Sequence, residues 1–548
     1  MIINFRKREY MKKFIILFMI IHIFSYANYL ISNSEIVLFY DKSYNSIHYM
    51  RGDIFQGIDI SRIEGKLILD GEKVISVNKY FESANLIPQT NILKLNYNID
   101  GKYLTVNIIP SMIEKDKLYF VVEFVNFLKD NRKVDFAFRI APQYDNKYVE
   151  YNESKDSYGY DRFYFKSENY KGETYIARDS VIEELMLEKV EGKIKKYQDD
   201  NMYYIIHNVD YNKPIEFVVK FYRDFEEDKK EEGTEVLSKE LAYWENVNSN
   251  IKFLDRRNNF FNQLRNLEVM VSRAVIPNQI SYNTSDESLN TKMKLYYLTS
   301  KYDKNFNPSK FLEDLYSKKS ENQKVVYYTF LFKYLNVSGD YLAPKLLNEK
   351  IIPEVESILG YLEEENEEII NIRDNINNYY WYYELINNIE NRPEFAEKRD
   401  FILAKKKLLL NYINRNYVLD DGLKIRKESS ESYYKNIRFM SFLPKEKQLK
   451  ILKEDYKKYY NRFYGLLKPK GEERIDLGYN LDFIIKLYEN GERDLANVLF
   501  ANLETYIRRN DYYIIPDIYP DKDNPAGIYG ELLYLYFIAA ENKERYGN

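Results

Sequence analysis

The chain has 548 residues, 30% of them charged, yet Lys+Arg 81 against Asp+Glu 85 leaves a formal net charge of only -4. That length calls for two or three domains, and the near balance of charge gives no field for nucleic acid or for an anionic membrane surface. With no cysteine in the sequence, disulfides, thiol nucleophiles and thiolate-bound zinc are excluded, and the fold rests on packing alone.

Residues 1–27 read as a secretory signal. Lys12 and Lys13 precede an apolar run over 14–24, and Ser25-Tyr26-Ala27 supplies a small-residue cleavage site. The expectation is an exported, periplasmic or extracellular protein with no membrane association after cleavage; a retained anchor is the alternative. Beyond the signal only His48 and His207 remain as histidines, too few for a histidine-based triad or metal site.

Over 28–225 the hydrophobic period is two. Leu93, Leu95, Tyr97 and Ile99 alternate with polar residues up to Asp100-Gly101, a hairpin pair, and Leu104, Val106 and Ile108 resume the pattern. The same alternation returns over 118–127 and in Val134, Phe136, Phe138 and Ile140, which predicts an antiparallel β-sandwich. A charge run over 226–233 and a helical stretch through Trp244 mark a linker at 226–250; an exposed loop of the first domain would look the same on charge alone.

From 251 to 548 the pattern is helical. The clearest segments are 260–275, 289–301, 325–334, 345–361, 395–414, 445–460, 475–488, 494–508 and 529–540, with another helical pattern at 363–371. Short breaks between them argue for antiparallel helical hairpins closed into a toroid or stacked in a row. The whole chain is thus predicted to be an α+β multidomain protein, a β-sandwich followed by an (α/α)6 barrel.

Between two of these patterns lies Asn378-Tyr379-Tyr380-Trp381-Tyr382-Tyr383-Glu384, which sets one of only two tryptophans beside a carboxylate. Aromatic faces stack on sugar rings, and an apolar wall raises a carboxyl pKa, so this stretch is a candidate site where a helix opens into a cavity. A core aromatic cluster with its glutamate turned to solvent is the plainer alternative.

The order of domains, with Tyr29-Leu30-Ile31-Ser32-Asn33-Ser34-Glu35-Ile36 at the start and Gly491-Glu492-Arg493-Asp494-Leu495-Ala496 near the end, resembles the bacterial glucoamylase-type glycosidases, glycoside hydrolase family 15. The resemblance implies hydrolysis of α-glucosyl or related oligosaccharides from a chain end, with inversion and without metal or cofactor. It makes Glu384 the general acid, displaced by two residues from the family's Trp-Glu-Glu pattern. It makes Asp517, in Ile515-Pro516-Asp517, the general base. Asp286, in a segment where the family's aromatic and arginine are replaced by Asn283 and Ser285, would grip sugar hydroxyls, and Trp381, Tyr380, Tyr383 and Tyr529 would line the sugar site. Glu531 and Asp476 stand near the same loops as reserve acids. Inverting chemistry needs two carboxyl groups about 6.5–9.5 Å apart on opposite faces of the sugar, with the acid kept protonated, here by the ring of Tyr379, Tyr380, Trp381 and Tyr383. A relative that kept the barrel but lost the proton donor, and only binds glycans, is the alternative reading.

Overall fold

The computed structural model describes residues 29–546, leaving out 42–45, 53–59, 71–72, 128–132, 143–147, 153–156, 161–162, 178–186, 190–193, 196–200, 222–235, 251–259, 273–287, 304, 308, 314, 316–318, 340–341, 366–367, 370–371, 425, 470–471, 509–517 and 520–529. The signal, the charge run over 226–233, Asp286, Asp517 and Tyr529 therefore lie outside the described residues. The chain divides into two compact units, residues 1–252 with 264–276, and residues 253–263 with 277–548.

The first unit is antiparallel sheet, as the period of two predicts. Its larger sheets have nine and six strands, beside a three-stranded one. In the hairpin Leu93–Ile99 with Lys102–Pro110, Ile99 pairs with Lys102 across Asp100 and Gly101, both at positive φ, the backbone that a two-residue turn of this hand requires. Leu93, Leu95, Tyr97 and Ile99 are all buried, while the residues between them are half-buried.

The two large sheets meet through aromatic side chains. Phe138, on Val134–Pro142 of the six-stranded sheet, stacks at 4.5 Å on Phe217, on Ile215–Phe221 of the nine-stranded one. Phe136 and Tyr204 pack against the same ring.

Helix α1 (Val236–Asn250) belongs to this unit. Its Glu240 is buried and accepts hydrogen bonds from Ser111 Oγ at 2.5 Å and from the Met112 N–H at 3.1 Å. Burial pushes this carboxyl up, although the Ser111 and backbone donors pull the other way. An isolated acid in a sheet–helix interface would be costly, and these donors offset that cost.

Helix α2 (Phe260–Ser272) leads to the helical region. There follow α3 (Ser288–Tyr302), α4 (Glu321–Ser338), α5 (Ile352–Gly360), α6 (Ile376–Ile389), α7 (Arg399–Asn416), a 3-10 helix (Tyr434–Phe442), α8 (Lys445–Tyr459), α9 (Leu477–Glu489), α10 (Arg493–Ile507) and α11 (Gly530–Tyr546).

Six of these elements form a closed ring. α3 packs on α4, α4 on α6, α6 on the 3-10 helix, that helix on α9, α9 on α11, and α11 on α3. Neighbouring helices run parallel where their contacts can be read in order. Lys294 meets Glu531 and Lys301 meets Glu541 along α3 and α11, while Thr329, Lys333 and Asn336 meet Trp381, Glu384 and Asn388 along α4 and α6. Parallel inner helices need return segments outside, and α5, α7 and α10 pack on α4, α6 and on α9 and α11 in that place. This is the arrangement of an α/α toroid.

Two expectations fail in detail. The described residues of 363–371 are not helical: Glu364–Glu365 pairs antiparallel with Glu368–Ile369, since the five glutamates of that stretch repel on a helix face as much as they solvate it. The aromatic stretch does not lie between helices but inside α6, which Asn375 caps by accepting from the Asn377 N–H at 2.8 Å.

Removing the shared inter-sheet ring should be costly. We expect Phe217→Ala to destabilise the first unit by about 3–5 kcal/mol, the range for a fully buried phenylalanine, measured as a shift of the urea midpoint at unchanged slope.

Candidate active site

A helix turns by about 100° per residue, so the aromatics of α6 cannot all surround Glu384. Tyr379 points to the outer layer, against Tyr412 and Tyr417 of the α7 hairpin. Tyr383 packs on Phe442 of the 3-10 helix with Lys406 of α7 over its ring at 5.7 Å. Only Tyr380 and Trp381, four and three residues before Glu384, share its face. The predicted ring of four aromatics around the acid is therefore not formed.

What Glu384 meets instead is Lys333 of α4, whose Nζ donates to Oε2 at 2.7 Å. Burial alone would lower this ammonium; Tyr534, Glu384 and Tyr380 outweigh it and hold Lys333 well above the ordinary lysine range. The glutamate does not escape to solvent, for its side chain is 19% exposed.

Around this pair stand side chains from every other element of the ring. Lys294 of α3 lies 5.1 Å above the Trp381 ring and 5.6 Å from that of Tyr534 on α11. Phe330 of α4 packs on both Trp381 and Tyr534. Tyr380 packs on Phe439 of the 3-10 helix. Lys294 also donates to Glu531 at the start of α11, and Arg438 of the 3-10 helix reaches Glu531 at 3.4 Å and Asp482 of α9 at 3.0 Å. Tyr534 to Phe330 and Arg438 to Glu531 join elements that are not neighbours in the ring order, so these side chains meet in its interior.

Part of the side-chain surface inside the ring stays accessible. Glu531 and Arg438 keep 34% and 35% of their side-chain surface accessible although ring elements surround them. Tyr380, Trp381, Glu384 and Tyr534 are likewise only half-buried, whereas the outward residues Tyr379, Tyr382, Leu385 and Ile386 of the same helix are buried. Accessible side chains in the middle of a closed ring define a hollow.

Its carboxyl groups are driven apart. Burial pushes Asp482 up to about 6, against Arg438 and with help from the charge of Glu531. For Glu531 burial acts in the same upward sense, but Lys294 and Arg438 together exceed it and hold the group below the ordinary glutamate range.

Of the residues singled out from sequence, Glu384, Trp381 and Tyr380 face the hollow, and Tyr383 packs to one side. Asp476 is the N-cap of α9, accepting from the Tyr479 N–H at 2.9 Å, with Lys435 at 2.7 Å. Of the chain near Asp517, the described Ile518–Tyr519 pairs with Ile475–Asp476, at the entry to α9. Lys294, Lys333, Arg438 and Asp482 are additions from the structure. A signal for Asp482 existed in the sequence: it stands between Leu481 and the run Phe483-Ile484-Ile485, and an acid among such residues needs a partner.

Among the described residues no group of three or more His, Asp or Glu is placed to hold a metal ion, and no helix is long and apolar enough to cross a membrane. A separate cleft lined by Lys445, Glu446, Tyr488, Asn490 and Arg493 lies at the C-terminal end of α9, away from these carboxylates.

Antiparallel sheets followed by a ring of helical hairpins define the architecture of a six-hairpin toroid protein. No family model and no curated protein matches the chain. Among solved structures it is similar to a family GH92 inverting mannosidase from Bacteroides thetaiotaomicron, at 9% identity and TM-score 0.40, over 93% of this chain and 82% of that one. It is also similar to a GH92 family glycosyl hydrolase, at 8% identity and TM-score 0.41, over 94% and 85% of the two chains. A wild-type glycosidase gives 9% identity and TM-score 0.37 over 51% of this chain and 95% of its own. Likeness at this level assigns no residue and no activity, and these names give family 15 no preference over other six-hairpin glycosidases.

The raised Asp482 carboxyl makes stability depend on pH. The folded state binds this proton more tightly than the unfolded chain, so the contribution is full below about pH 4 and lost as pH rises through about 6. Asp482→Asn, neutral throughout, should remove that fall: thermal melts of wild type and variant should diverge between about pH 4 and 6 and then run parallel.

Proposed function

We propose that the protein is a glycoside hydrolase, exported, acting from the chain end on α-glucosyl or related oligosaccharides with inversion. The observation that carries this reading is the hollow in the helical ring, where Trp381, Tyr380 and Tyr534 stand among carboxyl groups and their cations. Aromatic faces suit the apolar faces of a sugar ring, and paired charges supply both donors and acceptors for its hydroxyls. Three cations, Lys294, Lys333 and Arg438, against three carboxyl groups, Glu384, Asp482 and Glu531, favour a neutral ligand.

Glu384 is the proton donor in this reading. To reach the leaving oxygen it must part from Lys333 Nζ, which donates to it at 2.7 Å. Asp286 and Tyr529 keep the roles that the family resemblance implies, hydroxyl grip and sugar contact.

A second reading is favoured by one observation. The hydrogen bond from Lys333 suits a Glu384 that stays charged and only binds hydroxyls, as in a glycan-binding protein without catalysis.

Activity separates the two. Mature protein incubated with maltose, isomaltose and longer glucans should release sugar of inverted anomeric configuration, followed by proton NMR, and Glu384→Gln should lower kcat by about 100- to 10,000-fold. Glycan binding without release by the wild type would leave the second reading alone.

A further inference from the structure

The ring order sets α6 and α11 three places apart in a circle of six, which makes them opposite walls of the hollow. Glu384 projects from one wall and Glu531 from the other. Each is partly accessible, each is tied to cations of neighbouring elements, and Tyr534, one turn beyond Glu531, interacts electrostatically with both carboxylates. We propose that Glu531 is the carboxylate that activates water opposite Glu384, in the role that the family resemblance gives to Asp517. This rests on the hydrolase reading above.

The chemistry balances without any further reactant. The Glu384 carboxyl proton passes to the glycosidic oxygen as the bond from that oxygen to the anomeric carbon breaks. A water oxygen bonds to the anomeric carbon from the opposite face, and its proton passes to Glu531. Both groups return to their starting states by exchange with solvent.

Three features suit Glu531 to this work. A base must be ionised before the sugar binds, and two cations from different elements, Lys294 and Arg438, hold it so. It must be reachable by water and sugar, and a third of its side-chain surface is accessible. It must also be positioned, and it lies in the first turn of α11, where backbone N–H groups add to the positive surroundings. Asp482 fails the second condition, with 6% of its side chain accessible behind Arg438.

The groups facing Glu531 are Lys294 from α3, Arg438 from the 3-10 helix, Asp482 from α9 and Tyr534 from its own helix. Removing a cation therefore has a signed consequence. Lys294 favours the ionised carboxylate, so Lys294→Met raises the carboxyl pKa and moves the acidic limb of the kcat/KM profile to higher pH, by about one unit.

The test uses the full chain and a glucan panel. Glu531→Gln, with its cooperative melt retained, should lose about 100-fold or more in kcat, and Lys294→Met should show the displaced acidic limb. A folded Glu531→Gln protein within tenfold of wild type would overturn the assignment and leave the hydrolase reading intact. So would a Lys294→Met profile that superimposes on wild type, which also decides the matter if Glu531→Gln does not fold. A wild type that releases no sugar would overturn both.

Discussion

A full charge in the middle of a helical ring has to bring its counter-charge with it, and in this protein each partner comes from a different element. Glu384 of α6 is held by Lys333 of α4, Glu531 of α11 by Lys294 of α3 and by Arg438 of the 3-10 helix, and Asp482 of α9 by the same Arg438. Each of the six elements of the ring contributes a side chain to one of these pairs. Losing one partner of a fully buried pair strands the other at a cost of about 3–5 kcal/mol, less where water reaches the charge as it does here, whereas replacing a whole pair by apolar side chains is often neutral or better for stability. The ion pairs thus fix the ring's geometry but are a poor device for stability alone. Their presence beside accessible aromatic side chains suits the role proposed for the site.

The same constraint explains how the aromatic residues are divided. An inner helix of a toroid is covered on both sides, outward by the return helices and inward by its partners across the ring. On α6 the outward residues Tyr379, Tyr382, Leu385, Ile386 and Ile389 are close-packed, and the inward residues Tyr380, Trp381 and Glu384 are partly accessible. Rings and long charged chains leave gaps that aliphatic side chains would close, and the gaps are where a ligand fits.

Legibility followed locality. The period of two over the sandwich and the hairpin at Asp100-Gly101 are set by neighbouring residues and could be read directly, as could most helices. The 3-10 helix could not, because its nine residues have neither a cap nor a sustained period, and yet it supplies the sixth wall. The site was legible only where a motif was dense, in the run from Tyr379 to Glu384. Lys294, Lys333, Arg438 and Asp482 each stand alone in the sequence and become a cluster through ring closure, which pairs residues far apart along the chain. The direction of each aromatic on α6 was also missed, because a row of rings in the sequence reads as a single surface, whereas a helix distributes it around its axis.

Asp482 and Glu531 share one guanidinium and still diverge, and the difference between them is instructive. Asp482 has Arg438 as its close cation and lies almost wholly out of solvent, so burial prevails and the proton is held to about pH 6. Glu531 meets a second cation, Lys294, and retains contact with the hollow, so the charged form prevails. Acid–base chemistry relies on neighbouring groups whose surroundings separate their protonation states. Here that separation arises from one additional ammonium and from accessible surface, which leaves the ionised group facing the hollow and the protonatable one behind it.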